Sequence, residues 1–488
     1  MRFWATFTRS SFTAFWMTLS VCASPGALAS SSDAMLRELA ASVGVTGELG
    51  KASKALPPNS PTVRLGAELF FSRSLSLGRD VACASCHHPL LGGADAMPLS
   101  VGIGATDPEL VGPGREFNWR GMQGADPHSQ PGPNVPRNSP TLFNVGHYKR
   151  VLFQDGRIER MRRGEFRTPE SRRDAGSDLL SVQARFPLTS EAEMRGFRSL
   201  RHASSDRVRN DIIERLRDER ANRWTTAFAE AFGDNETRSS SVSLGRLERA
   251  LSDYQRSLEF LDSPWVGFLR GDDDAIDDAA KRGARLFFTS ADAGGVGCTG
   301  CHSGDHFTDE QFHALGVPAL GRGVVRPAAR YGKDTIQDGT DFGRWEVTRR
   351  DSDRYAFRTP SLLNTTLTAP YGHSGAFATL QAVIRHHAEP ATSVDDFDFK
   401  FAHLAGFGLV DGQYPSARSH SKDAAAHATS KPAVPRALSV AEINDLVAFL
   451  HTLTDPCAAD ALCLAPWIPN AEQPSPDGAR RQARFELR

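Results

Sequence analysis

The chain has 488 residues, of which 40% are apolar and 24% are charged, a composition typical of a soluble globular protein with room for two or three domains. Its formal net charge of −1 argues against a protein that binds nucleic acid or an anionic membrane through its overall charge.

The first 29 residues have the pattern of a secretory signal peptide. Arg2 and Arg9 give a positive start, an apolar run over 12–21 follows, and a small-residue cleavage triplet ends at Ala29. A membrane span would need about 20 apolar residues, and the bulky residue before Cys22 disfavours a lipoprotein signal. We therefore expect cleavage after Ala29, which removes two arginines and no acid and leaves a mature charge of −3.

Export leaves six cysteines, which form three local pairs. Cys457 and Cys463 close a short loop near the C-terminus, and an oxidising compartment permits disulfides. We predict a structural disulfide between them.

The other two pairs each stand in a CxxCH motif, which is typical of c-type haem attachment. A thioredoxin-like site would not need the histidine, and a zinc site would bring both pairs to one metal, which about 200 intervening residues disfavour. We predict two covalent haems, each with the adjacent histidine as iron ligand and with no role for His88. The residues are Cys83, Cys86 and His87 for the first haem, and Cys298, Cys301 and His302 for the second.

The surroundings of the two motifs also repeat, which predicts one haem-binding unit used twice in tandem. Each pre-haem stretch reads as a helix that ends in Leu-Phe-Phe and packs on a porphyrin. The matching segments are LGAELFFSRSLS (65–76) and RGARLFFTSADA (282–293), NSPTLFNV (138–145) and RTPSLLNT (358–365), and FQDG (153–156) and YGHSG (371–375).

Between and after the repeats, periodic apolar residues predict further helices. Region 206–261 is helical and links the domains, and 439–453 is a helix with a capping box formed by Ser439 and Glu442. The Arg-rich segment 160–182 and the Ser/Ala/Pro/His-rich segment 411–436 are predicted surface loops, the first with a docking patch as the less favoured alternative.

The domain boundary is predicted at the end of the linking helices, close to the acidic run 271–278. This gives a signal peptide over 1–29, an N-terminal haem domain over 30–265, a C-terminal haem domain over 266–470 and a polar tail over 471–488.

The ordered motifs CASCH, NSPTLFN, DGR, CTGCHSGDHFTD, RTPSLLN and TAPYGHSG resemble the bacterial di-haem cytochrome c peroxidase and MauG family over nearly all of residues 60–455. The resemblance implies a mainly α fold of two tandem cytochrome c-like domains. It also implies that the N-terminal haem meets peroxide and that the C-terminal haem relays or stores electrons.

The resemblance further implies the groups that handle peroxide. Family members carry a glutamine ten residues before a glutamate that precedes methionine, and Gln183, Glu193 and Met194 match this pattern. A carboxylate over an open iron can move a proton between the two peroxide oxygens, and Gln183 would orient the peroxide. Position 103, where some members carry a distal histidine, is Ile103, so we expect an open or water-filled site.

The electron-transfer side departs from the family in two ways. No methionine follows Met194, and the position of the family's methionine ligand is His387, which shares a helix face with Leu380, Val383 and Ile384. We expect His302/His387 ligation, with a core histidine as the alternative. The family's tryptophan between the haems is replaced by Gln154, which puts fast coupling in doubt; Trp119, Trp265 and Trp345 are the possible substitutes.

The resemblance also implies a calcium site, with Asn138 as side-chain ligand and the carbonyls of Thr368 and Pro370 as further ligands. We expect a periplasmic peroxidase whose electron donor is a small cytochrome c or cupredoxin, and no nucleic-acid partner. The sequence does not decide whether the protein forms a homodimer. The alternatives are a MauG-like oxidase of a protein substrate and a non-catalytic di-haem electron-transfer or sensor protein.

Overall fold

The computed structural model of the chain describes residues 1, 25–118, 132–171, 176–196, 203–321, 340–407, 414, 416–428, 434, 436–470, 472–478 and 484–485. Most of the predicted signal peptide, residues 2–24, lies outside them, and the first described helix passes through Ala29. Cleavage there stays a prediction. In the described part of the chain, no helix has the length and apolar character needed to cross a membrane.

The described part of the chain is mainly helical, as predicted. The α-helices are α1 (Pro25–Ser42), α2 (Pro61–Phe71), α3 (Leu179–Ala184), α4 (Ser205–Arg217), α5 (Trp224–Phe232), α6 (Leu244–Ser257), α7 (Pro264–Leu269), α8 (Asp278–Phe288), α9 (Trp345–Thr348), α10 (Leu380–Ala388), α11 (Pro390–Asp395), α12 (Ala417–Ala428), α13 (Val440–His451) and α14 (Ala461–Leu464).

Short antiparallel strands complete the fold. One sheet has the order β1 (Val151–Leu152), β2 (Ile158–Arg160) and β3 (Phe166–Arg167), and the second pairs β4 (Phe312–Ala314) with β5 (Ala356–Arg358). In the first sheet, Glu159 lies opposite both Val151 and Arg167. Short 3₁₀ turns include Cys83–Ser85 and Cys298–Gly300, and a π-helix spans Glu191–Arg195.

The two repeats build the same helix crossing, which confirms that the sequence repeat is a structural one. In the first repeat α2 packs on α6, and in the second α8 packs on α13. Each crossing has a glycine where a Cβ would collide: one on Gly66 would lie 2.1 Å from the Ala250 carbonyl oxygen, and one on Gly283 would lie 1.9 Å from that of Asp445. Both pre-haem helices end at Leu-Phe-Phe, as predicted.

A matched pair of asparagines also marks the repeat. Asn144 and Asn364 both have a positive φ, of 59° and 60°, and both are buried. Their side-chain amides both donate to the Phe260 carbonyl, at 2.9 and 3.0 Å. Equivalent positions in the two repeats therefore meet at one backbone group in the linker between the domains.

The N-terminal segment packs in the core of the second domain, and the C-terminal segment packs in the core of the first. Leu36, Ala40 and Val45, which belong to the segment placed in the N-terminal domain by the sequence, pack into the core that contains α8 and α13. Asp305, just after the second CxxCH, accepts hydrogen bonds from the backbone N–H groups of residues 46–48.

At the other end, the C-terminal segment packs on the first domain. Ala458 and Leu464 belong to the core of α2 and α6, and the Trp224 indole N–H donates to Asp477 at 2.6 Å. The Cys457–Cys463 disulfide, predicted from the sequence, is present in this segment.

Two predicted loops contain regular structure instead. Within 411–436, residues 417–428 form α12, whose buried side chains are small or polar, so the segment lacked an apolar signal; they include Ala417, Ser421 and Ala425. Within 160–182, β3 and α3 bury Phe166, Leu179 and Leu180. The predicted helix over 439–453 is confirmed as α13, with the Ser439–Glu442 capping box in place.

Candidate active site

The first CxxCH motif forms a tight turn after α2. The backbone N–H of His87 donates to the Cys83 carbonyl at 3.0 Å, and His87 Nδ1 lies 3.3 Å from the Gly93 carbonyl oxygen. Burial lowers the pKa of His87 to about 4, so the imidazole is neutral at physiological pH, as an iron ligand must be.

The second motif repeats this geometry. The His302 backbone N–H donates to the Cys298 carbonyl at 2.9 Å, and His302 Nδ1 donates to the Phe307 carbonyl at 3.0 Å. This hydrogen bond directs the lone pair to Nε2, the ring nitrogen left to bind a metal. Burial lowers the pKa of His302 to about 4 as well.

The four motif cysteines fit haem attachment better than a disulfide. None of them is bridged, whereas Cys457 and Cys463 are. Burial raises the pKa values of the Cys83 and Cys298 thiols to about 12, so both free thiols are protonated at physiological pH. His88, by contrast, is buried between Phe71 and Phe485 with its Nδ1 accepting from the Leu90 N–H, which is a structural role.

Glu193 lies in the π-helix Glu191–Arg195, on the side of the first motif. The Ala192 carbonyl accepts from the Ile103 N–H at 3.1 Å, and the neighbouring Val101 carbonyl lies 3.9 Å from Cys86 Sγ. The Glu193 side chain is 29% exposed, and its carboxylate lies 3.9 Å from the Arg157 guanidinium. The backbone thus holds this carboxylate beside the first haem-attachment turn.

The environment of Glu193 suits a group that exchanges protons. Burial raises the pKa of Glu193, while Arg157 and a hydrogen bond with Ser190 oppose the rise. A carboxyl group with a raised pKa that still reaches solvent is suited to take up a proton and return it.

Gln183 lies on α3, which precedes the π-helix across the 3₁₀ turn Pro187–Thr189. Its side-chain Oε1 is buried and has no hydrogen-bond partner among the described residues. An unpaired buried amide oxygen is costly unless a ligand or a water meets it. Ile103 lies in the first hydrophobic core, 3% exposed, and supplies no ligand atom.

The structure distinguishes the two neighbouring histidines of α10. His386 is fully buried and both its ring nitrogens are engaged, with Ser393 Oγ at 3.1 Å and the Leu315 carbonyl at 2.9 Å. His387 Nδ1 donates to the Val383 carbonyl at 2.7 Å, which leaves Nε2 for a metal. Burial, and after it the charge of His387, lowers the pKa of His302. His387, and not His386, is therefore the histidine of α10 that could ligate a haem iron, and its ligation stays a prediction.

Gln154 lies between the two repeats, where its side-chain amide donates to the Asn138 carbonyl at 3.0 Å. Its main-chain carbonyl accepts from the Arg358 N–H at 2.7 Å. Among the possible substitutes for an inter-haem tryptophan, Trp265 stacks on Phe288 inside the second core, Trp345 lies at the surface on α9 under two arginines, and Trp119 lies outside the described residues. Trp265 is thus part of the second core, whereas Arg344, the residue before Trp345, donates to the carbonyls of Asp155 and Gly156 just after Gln154.

The predicted calcium residues lie in one region. The Asn138 main-chain N–H donates to the His373 carbonyl at 2.8 Å, and its side-chain amide donates to the Met97 carbonyl at 2.7 Å. Thr368 and Pro370 belong to the loop that leads to His373. Calcium ligation by these residues stays a prediction.

Sequence reasoning missed a buried charge network at the junction of the repeats. Arg137 pairs with Asp155 at 2.7 Å and with Asp341 at 2.6 Å. Burial alone would raise the pKa of Asp155, but Arg137 and Arg157 outweigh it and lower the pKa to about 2. The available sequence signal for this network was the DGR motif, which contains Asp155 and Arg157 and lies before a segment rich in charged residues.

Comparison with known proteins gives one consistent result. A sequence model described as di-haem cytochrome c peroxidase matches residues 60–274. The methylamine utilization protein MauG of Methylorubrum extorquens is 28% identical over 412 residues, which are 84% of this chain and 82% of MauG. The cytochrome c551 peroxidase of Pseudomonas aeruginosa is 30% identical over 311 residues, which are 64% of this chain and 67% of that enzyme.

Solved structures agree on the fold. The diheme peroxidase BthA from Burkholderia thailandensis superposes with a TM-score of 0.51 at 22% identity and covers 88% of this chain and 93% of its own. A MauG-like protein associated with microbial copper homeostasis gives a TM-score of 0.50 at 22% identity, over 84% of this chain and 95% of its own.

Proposed function

The chain belongs to the di-haem cytochrome c peroxidase family, and from this premise we propose that it reduces H₂O₂ at the N-terminal haem. The two electrons arrive through the C-terminal haem from a small cytochrome or copper protein, and the net reaction converts H₂O₂, two electrons and two protons into two waters. The family's cofactors are two c-type haems. The cysteines and histidines of the two CxxCH turns would hold them.

The observation that carries this proposal is the position of Glu193. Its carboxylate is held beside the first attachment turn, has an elevated pKa, and faces Arg157. Cys83, Cys86 and His87 would hold the N-terminal haem, which would supply the electrons for cleaving the O–O bond. Glu193 accepts a proton from one peroxide oxygen and returns it to the oxygen that leaves, and the unpaired Gln183 amide orients the peroxide.

Electron delivery follows from the second site. His302 and His387 both donate through Nδ1 to backbone carbonyls, so Nε2 of each ring would be the atom that ligates a haem iron. Two imidazole ligands lower a haem reduction potential relative to a His/Met pair. A haem held by His302 and His387 would therefore serve as a relay of low potential, while the residues around the first turn, where Ile103 supplies no ligand atom, would leave room for peroxide.

The proposed location is the periplasm. The signal-like first 29 residues and the Cys457–Cys463 disulfide support a periplasmic protein.

The proposal also includes a calcium ion. Asn138, Thr368 and Pro370 would hold one Ca²⁺ between the domains through oxygen ligands. Chelation of this ion should lower peroxide turnover without releasing the covalent haems.

The experiment that tests the proposal uses the haem-loaded mature protein with a reduced small cytochrome c and H₂O₂. Oxidation of the cytochrome at two equivalents per peroxide supports the peroxidase. Two low-spin haems that do not change on addition of peroxide would instead identify a non-catalytic electron carrier or sensor and refute the proposal.

A second candidate, a MauG-like oxidase of a protein substrate, is favoured by one observation. No methionine follows Met194, and His387 stands at the position of the family's methionine ligand, where it would ligate the second haem. The low potential that results disfavours electron uptake from a high-potential donor and eases oxidation of the haem. Fast reaction with peroxide but slow oxidation of every small redox protein would support the oxidase over the peroxidase.

A further inference from the structure

The segment 149–171 concentrates positive charge on a chain that is nearly neutral. It contains seven basic and four acidic residues, against a net charge of −1 for the whole chain. Five of its basic side chains are exposed, and we refer to this group as the arginine hairpin: Lys149, Arg150, Arg160, Arg162 and Arg163.

Three of the four acids of the segment pair with arginines outside this group. Asp155 pairs with Arg137 at 2.7 Å, Glu159 pairs with Arg344 at 2.6 Å, and Glu170 pairs with Arg209 at 2.6 Å. In the described part of the chain, no carboxylate lies within ion-pair distance of Arg162 or Arg163. The cations of the hairpin therefore face solvent with little internal compensation.

The strand register places two of these cations side by side. The Arg160 N–H donates to the Arg150 carbonyl at 2.8 Å, which continues the β1–β2 pairing of Val151 with Glu159. Like charges directly opposite each other on antiparallel strands are destabilising. An acidic partner laid over this pair would relieve that repulsion.

The hairpin is fixed to the loop that carries the second haem ligand. The Glu310 carboxylate accepts from the backbone N–H groups of Lys149, Arg150 and Val151, at 2.8, 2.7 and 3.2 Å. Glu310 follows Asp309, whose N–H donates to the Cys301 carbonyl at 2.8 Å. A short hydrogen-bonded path through Glu310 and Asp309 therefore connects the backbone of the hairpin with the second attachment turn.

The adjoining segment carries side chains that interfaces favour. Arg344 donates to the Gly156 carbonyl at 2.7 Å, which joins α9 to the hairpin. The next residue, Trp345, is partly exposed and lies under the guanidinium groups of Arg349 and Arg354, at 4.3 and 5.4 Å from its ring centre. Tryptophan and arginine are the residue types enriched among interface hot spots.

We propose that the arginine hairpin, with the adjoining Trp345 segment, is the docking surface for a small acidic redox protein that exchanges electrons with the C-terminal haem domain. This assignment rests on the proposed function and adds to it the charge of the partner. Complementary charge would raise the association rate at low salt, and the advantage would fade as salt screens it.

The test compares Arg162→Glu/Arg163→Glu with the wild-type holoenzyme. Arg64→Glu/Arg220→Glu is the matched control, because both of its arginines are exposed and lie outside the hairpin. Probes are a reduced acidic c-type cytochrome and a reduced basic one. We measure calorimetric affinity and kcat/KM at an ionic strength of about 20 mM and again at about 0.5 M.

The wild type should bind and oxidise the acidic cytochrome in preference to the basic one at low ionic strength only. The hairpin variant should lose at least tenfold in both affinity and kcat/KM, and the control variant less than twofold. All three proteins should consume peroxide equally with a small uncharged organic donor.

Equal binding of the acidic cytochrome by the wild type and the hairpin variant would overturn the proposal. So would binding of the hairpin to phosphatidylglycerol vesicles, or self-association through it, with no affinity for the acidic cytochrome. If no donor supports peroxide consumption, the proposed function fails, while the calorimetric comparison still decides the docking surface.

Discussion

The Arg157 guanidinium lies 3.9 Å from the Glu193 carboxylate and 3.6 Å from that of Asp155. One cation therefore faces both the carboxylate that we assign to proton transfer and the buried charge network between the repeats. Its position suggests that Arg157 sets the protonation of Glu193.

Replacing Arg157 by Gln should move the acid limb of the peroxide reaction to higher pH. Glu193 must be ionised to accept a proton, burial already raises its pKa, and loss of the opposing cation raises it further. As the solution is acidified, the reaction rate of the variant should therefore begin to fall at a higher pH than that of the wild type. Stopped-flow rates across pH measure this, with Arg157→Lys as the control that keeps the charge. An unshifted limb in Arg157→Gln would show that the cation does not act on Glu193.

Replacing His387 by Ala should convert the C-terminal haem from low-spin to high-spin, as read by absorption and electron paramagnetic resonance spectra. Replacing His386 by Ala should leave the haem low-spin but cost about 1–3 kcal/mol of unfolding free energy, because the partners Ser393 and Leu315 lose a buried hydrogen bond. The opposite pattern of spectra would assign the ligand to His386.

Replacing Gly66 or Gly283 by Ala should destabilise the protein, because the new Cβ would overlap a carbonyl oxygen of the crossing helix. Overpacking of this kind costs about 1–3 kcal/mol, measured by denaturant unfolding. Gly245→Ala on α6 is the control, since a Cβ there has nothing within 4 Å, and it should be neutral or stabilising. Equal stability of all three variants would disprove the tight crossings.

Replacing Glu310 by Gln should loosen the junction between the repeats. The carboxylate accepts three backbone N–H bonds, and an amide has one oxygen to accept them, so about 1–3 kcal/mol should be lost. Hydrogen exchange should show reduced protection of the amides of residues 149–151. The exposed Glu219→Gln is the control, and unchanged protection in Glu310→Gln would contradict the contact.

The sequence allowed prediction of features that depend on local spacing. The two CxxCH turns, the Leu-Phe-Phe helices, the Ser439–Glu442 cap and the Cys457–Cys463 bridge involve residues within about one helical turn or a short loop of each other. The choice of His387 over His386 came from the family's ligand position and from helical spacing. It stays a prediction, and in the structure His386 uses both ring nitrogens in hydrogen bonds whereas His387 uses Nδ1.

Features that depend on distant residues could not be predicted from one sequence. Asp305 caps the backbone of residues 46–48, and Glu310 caps residues 149–151. Neither contact has a local signature. The helix α12 was missed because its buried face is made of Ala, Ser and His, which carry little hydrophobic signal.

The central claim is that Glu193 transfers protons at an accessible N-terminal haem. The measurement that tests it most directly mixes the holoenzyme with stoichiometric H₂O₂ in a stopped-flow spectrometer and compares Glu193→Gln with the wild type, after mass spectrometry has shown two haems on each. We expect a rapid change of haem absorbance in the wild type and a rate about 10²–10⁴-fold lower in Glu193→Gln. A variant that reacts at the wild-type rate would contradict the account.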